Sequence, residues 1–114
     1  MANNIAFQPM GKTHQIQAPT ANTAVTIAIT ADSPVQQYLL ATHNDASKPC
    51  YVRISSSNVA ASLPTANGSY AILVPPSAHL VITGPQTGPN TTVYVSLISE
   101  NNGAECYVTP GEGL

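Results

Sequence analysis

Charge is what this sequence has least of. Asp, Glu, Lys and Arg make up 7% of its 114 residues, against roughly 25% in an average soluble domain. Only Lys12, Lys48 and Arg53 carry positive charge, and the formal net charge is −2. A nucleic-acid surface needs clustered Lys and Arg facing phosphates, so cations this few and this scattered exclude that class of partner. The same scarcity excludes a polybasic membrane anchor. No apolar run approaches the ~20 residues of a membrane-spanning helix. The first ten residues have neither a basic start nor a continuous apolar stretch. A secretory signal is therefore not expected, and synthesis in a cytoplasm is. Tryptophan is absent, which removes the favoured platform for stacking a sugar. The two cysteines are too few for a disulfide framework, and a cytoplasm keeps such thiols reduced.

The motifs that carry chemistry are missing as well. There is no GxSxG, no phosphate-binding glycine loop and no GxGxxG after a strand. His14, His43 and His79, with Cys50 and Cys106, match no CxxC, HExxH or zinc-finger spacing. No metal and no cofactor are expected. Cysteine catalysis would need a base beside the thiol. His43 and Asn44 lie near Cys50 in sequence, but no basic cluster or helix start accompanies them to lower the thiol pKa. The carboxylates Asp32, Asp45, Glu100 and Glu112 fall in expected turns or tails, and Glu105 opens a strand. Asp45 with Glu100 is the one pair to weigh for glycoside chemistry, and solvated turn residues are the simpler reading. Asn67-Gly68-Ser69 and Asn90-Thr91-Thr92 match the glycosylation sequon and read as chance matches in turn-rich sequence. An enzyme is not expected.

What is present is a stretch written three times: Cys50-Tyr51-Val52-Arg53-Ile54-Ser55, Val93-Tyr94-Val95-Ser96-Leu97-Ile98-Ser99 and Cys106-Tyr107-Val108-Thr109-Pro110. Aromatic and β-branched residues suit a pleated, half-buried strand. The three copies read as neighbouring core strands, each with one residue of its Tyr-Val pair inward and the other outward. The outward residues then become candidates for a contact surface. If the first and third copies pair, Cys50 and Cys106 fall within disulfide range. Thr23 to Thr30 alternates cleanly, with Val25, Ile27 and Ile29 on one face. Further strands are expected at 12–18, 37–43, 69–74 and 78–83.

Ten prolines and seven glycines punctuate the chain. Asn67-Gly68 predicts a type I′ turn, Asn101-Asn102-Gly103 another hairpin, and Gly84 to Asn90 a loop. Ser56 to Ser62 reads as a short helical turn or an irregular crossing. About eight strands with turns every 8–12 residues predict one all-β domain, an antiparallel β-sandwich of jelly-roll type. Residues 1–11 are expected as an extended arm, 12–110 as the sandwich and 111–114 as a tail.

A neutral β domain with a Ser, Thr and Asn surface and no visible chemistry suggests a protein that works by contact. The opening Met1-Ala2-Asn3-Asn4-Ile5-Ala6-Phe7-Gln8-Pro9-Met10-Gly11-Lys12-Thr13 adds to this. So do Tyr51-Val52-Arg53-Ile54, Ile72-Leu73-Val74-Pro75-Pro76 and the closing Cys106-Tyr107-Val108-Thr109-Pro110-Gly111-Glu112-Gly113. In these segments the chain resembles small virion proteins of tailed bacteriophages, of the capsid decoration (cement) type. The resemblance implies a non-enzymatic protein on the capsid surface that binds the major capsid protein and clamps neighbouring capsid subunits. It implies a homo-oligomer, with a trimer ahead of a dimer. Candidate contact residues are Phe7, Pro9 and Met10 of the arm, for their apolar content outside the core. Arg53 joins them as the sole arginine, because arginine is enriched at protein contacts. The alternatives are a head-tail connector or tail component and, in a different class, a carbohydrate-binding β-sandwich.

Overall fold

The computed structural model describes residues 7–42 and 49–113. Strands and connections account for all of these residues, with no helix among them. The strands are β1 (Gln8–Pro9), β2 (His14–Ala18), β3 (Val25–Ile29), β4 (Val35–Ala41), β5 (Cys50–Ser55), β6 (Ile72–Val74), β7 (His79–Thr87), β8 (Val93–Ile98) and β9 (Ala104–Glu112). The front sheet runs β1-β9-β4-β7, with β2 also on β9, and the back sheet runs β3-β8-β5-β6. All pairings are antiparallel. Strands β2, β3, β4 and β5 partner β9, β8, β7 and β6 respectively, and the chain switches sheets at every step from β2 to β5 and again from β6 to β9. That is a long hairpin rolled up into two sheets, the pairing of a jelly roll, and it agrees with the expected fold.

Alternation builds the core. The front sheet turns Ile16, Ala18, Tyr38, Leu40, Ala104, Cys106 and Val108 inward, and the back sheet answers with Ile29, Cys50, Val52, Val74, Val93, Val95 and Leu97. In each Tyr-Val pair the valine is buried (Val52, Val95, Val108) and the tyrosine is half-buried on the other face. The three copies are not all neighbours in one sheet. β5 pairs with β8 in the back sheet, while β9 is central in the front sheet. The expected hairpin at Asn101-Asn102-Gly103 is accordingly a corner between sheets. Gly103, at φ 79°, donates its N–H to the Ala18 carbonyl at 3.0 Å, and Asn102 Oδ1 accepts from the Ala21 N–H at 2.7 Å. These bonds tie the corner to the neighbouring β2–β3 corner. Nor is Asn67-Gly68 a type I′ hairpin. Gly68 alone takes positive φ, and its N–H closes a turn on the Thr65 carbonyl at 2.8 Å.

Two proline segments continue strands that were expected to stop. Between Val35 and Gln37 the register jumps from Thr87 to Thr83, so β7 carries two more residues than β4 there. Gly84 and Pro85 lie in this bulge, where proline's missing N–H takes nothing from the ladder. The bulge serves Tyr38, which is fully buried. Its hydroxyl donates to the Pro85 carbonyl. A Cβ on Gly84 would come within 3.1 Å of the Tyr38 ring. Burial pushes the Tyr38 phenol up to about 12, since the charged form is penalised away from water. Likewise β9 runs past Pro110 to Glu112, because β1 pairs with Gly111 and Glu112.

Candidate interaction surface

The described residues include no group of three or more His, Cys, Asp or Glu able to hold a metal. Register separates the two described histidines: His14 sits with the inward row of β2, and His79 sits opposite Ala41 in the outward row of β7. His43, Asn44 and Asp45 lie outside the described residues, and with them the Cys50 base and the Asp45–Glu100 pair. Cys50 and Cys106 are both fully buried free thiols. No buried side-chain nitrogen or oxygen among the described residues lacks a hydrogen-bond partner.

Of the sequence-derived contact residues, Phe7, Pro9 and Met10 belong to the front sheet's edge. β1 pairs with β9, the Met10 N–H bonds the Pro110 carbonyl at 2.9 Å, and the Met10 carbonyl accepts from the Asp32 N–H at 2.7 Å. The approach is so close that a Cβ on Gly111 would strike the Gln8 carbonyl and the Phe7 ring. Over residues 7–11 the expected free arm is therefore a docked segment of the domain, and Gly111 makes the docking possible. Residues 1–6 lie outside the described part.

Arg53 is in the other sheet, on the outward face of β5. Its guanidinium lies 5.0 Å from the centre of the Tyr70 ring, within cation–π range. Tyr70 is 83% exposed, Leu73 53% and Ile72 37%. They flank and form β6, the three-residue terminal strand of the back sheet, which pairs only with β5. A shallow groove of about 270 Å³ lined by Asn67, Gly68, Ser69 and Tyr70 adjoins them. An edge strand presents unpaired main-chain groups to another chain, and β6 sets exposed apolar side chains beside them.

The segment between β5 and β6 brings these residues together. It is an irregular crossing that covers the outer face of the back sheet, where Ser96 is fully buried although it points away from the core. Ser96 Oγ accepts from the Ala61 N–H at 2.8 Å and from the Thr26 hydroxyl at 3.1 Å. A hydroxyl in mid-strand thus pins the crossing, which then delivers Tyr70 to Arg53. Sequence reading singled out Arg53 and passed over Tyr70. The available signal was the unbroken apolar run Tyr70-Ala71-Ile72-Leu73-Val74 immediately before Pro75-Pro76, too short and too apolar for a half-buried central strand.

The front sheet's outer face is different. Gln15 Nε2 donates to Glu105 Oε2 at 3.1 Å and to the Tyr107 hydroxyl at 2.9 Å, and Gln17 Nε2 donates to the same Glu105 oxygen at 2.9 Å. The Thr13 and Thr109 hydroxyls pair at 2.7 Å. Comparison with family models, curated proteins and solved structures found no match to this chain.

Proposed function

We propose that this chain is a non-enzymatic structural protein of a virion, one that binds the outer surface of a phage capsid and clamps neighbouring capsid subunits. The observation that carries the proposal is the apolar rim of the back sheet: Tyr70, Ile72 and Leu73 exposed on a terminal strand, with Arg53 stacked on Tyr70. Aromatic and arginine side chains are the residues that most often anchor protein contacts. An open strand edge adds main-chain hydrogen bonds to such a contact. The jelly roll supports the reading by analogy, since capsid proteins use it, although a fold does not fix a function.

Contacts of this kind are individually weak, and a homo-oligomer multiplies them through effective concentration. A trimer on a three-fold capsid position is the first arrangement to test and a dimer the second. Because the rim is apolar and nearly uncharged, binding should be little affected by salt. The proposed localisation is the capsid surface after synthesis in the host cytoplasm. The test is quantitative mass spectrometry of purified particles. Hundreds of copies per particle support decoration, about a dozen or fewer support the connector or tail reading, and absence from particles overturns both. The hydrogen-bond array of Gln15, Gln17, Glu105 and Tyr107 favours a second reading, a carbohydrate-binding module, which a glycan array tests directly.

A further inference from the structure

The two cysteines come from opposite sheets and meet inside the sandwich. Cys50 opens β5 in the back sheet and Cys106 lies in β9 of the front sheet. Both are fully buried members of one apolar cluster. β5 and β9 approach within 8 Å between Cα atoms, closer than the ~10 Å usual for packed sheets. The two thiols are close enough to influence each other's ionisation. We propose that Cys50 and Cys106 are the site of one covalent cross-link between the two sheets, closed by thiol–disulfide exchange with a small-molecule disulfide of the glutathione type.

In the closed sandwich burial disfavours the thiolate of both cysteines. With the strands apart, the thiolate of one cysteine attacks one sulfur of the small disulfide, forming a mixed disulfide and releasing one small thiolate. The thiolate of the other cysteine then attacks the sulfur of the first and expels the second small thiolate. Two protein thiols are oxidised, one small disulfide is reduced to two thiols, and the two protons pass to those leaving thiolates. Neither cysteine is reachable in the closed sandwich, so exchange takes place while β5 and β9 are apart, during folding or opening. The bond closes a loop from residue 50 to residue 106, about half the chain. A loop of this length strongly restricts the unfolded state. The chain thus folds reduced and gains a lock when it refolds or breathes in an oxidising medium.

The test is to refold the reduced full chain in mixed reduced and oxidised glutathione, with a parallel sample kept reduced. The expected product is a monomer lighter by two hydrogens, with no thiol titratable in denaturant. Its thermal midpoint should be higher by roughly 10 °C or more, and dithiothreitol should reverse the gain. Cys50→Ala and Cys106→Ala each leave one thiol, and the same buffer should leave their midpoints unchanged. Thiols that still titrate, a persistent glutathione adduct, a disulfide-linked dimer, or an equal midpoint gain in a single-cysteine variant would each overturn the proposal.

Discussion

The outer face of the front sheet is laced by side chains of its own strands, whereas that of the back sheet is covered by the chain between β5 and β6. On the front, Gln15, Gln17, Glu105 and Tyr107 satisfy one another across β2 and β9. On the back, Ser96 is buried and holds the crossing through its hydroxyl, which accepts from the Ala61 N–H. Across β2 and β9 the front face is a finished polar surface, and Leu39 with Val81 lies half-buried on its β4–β7 side. The back face hands its cover on to a rim where Tyr70, Ile72 and Leu73 are left exposed. One core thus supports a laced face and a face with an exposed apolar edge, and the second is the surface proposed to bind a partner.

Substitutions that separate the two faces rank by size of effect. Tyr38→Ala empties a fully buried site in the front sheet and should lower stability by about 3–5 kcal/mol in urea unfolding. Gly111→Ala brings a Cβ onto Gln8 and Phe7. It should release β1 and lower stability by about 1–3 kcal/mol, with faster hydrogen exchange at the Met10 amide. Ser96→Ala leaves the Ala61 N–H without its acceptor and should weaken the back sheet by about 1–2 kcal/mol, with the 56–71 crossing becoming sensitive to protease. If the crossing stays resistant, Ser96 is not its anchor.

Alkaline pH gives a further separation. The Tyr38 phenol is raised from 10.0 to about 12 in the folded chain. Its neutral form is favoured by folding, so that stability is fully present below pH 10.0 and lost as pH rises toward about 12. Comparing thermal midpoints of wild type and Tyr38→Phe across this window isolates the effect. The wild type should fall more steeply. At the small end, Tyr70→Ser with Leu73→Ser should change stability by no more than about 0.5 kcal/mol, because both side chains face solvent.

Strands were legible in the sequence wherever alternation was strong, as at Val25, Ile27 and Ile29, or where Tyr-Val set an inward valine against an outward tyrosine. Sheet membership was not. Asn101-Asn102-Gly103 has hairpin chemistry, yet β8 and β9 part into different sheets. A turn sequence specifies a local reversal, while the choice of partner strand depends on distant apolar faces meeting. The bulge at Gly84-Pro85 was hidden for the same reason, since its purpose is to accommodate Tyr38 from another strand. β1 is too short to show a period. Of the candidate surface, Arg53 stood out by scarcity alone. Its partner Tyr70 lies 17 positions further along the chain, and only the fold of the crossing brings the two together.

The central proposal is that the rim of the back sheet binds a capsid partner. Its most direct test is equilibrium binding of the purified chain to phage capsids that lack it, wild type against the Tyr70→Ser/Leu73→Ser double variant, at low and at roughly 1 M salt. The account predicts that wild-type binding changes little with salt. It predicts that the double variant, folded to the same midpoint, binds about tenfold or more weakly. Undiminished binding by the double variant would contradict it.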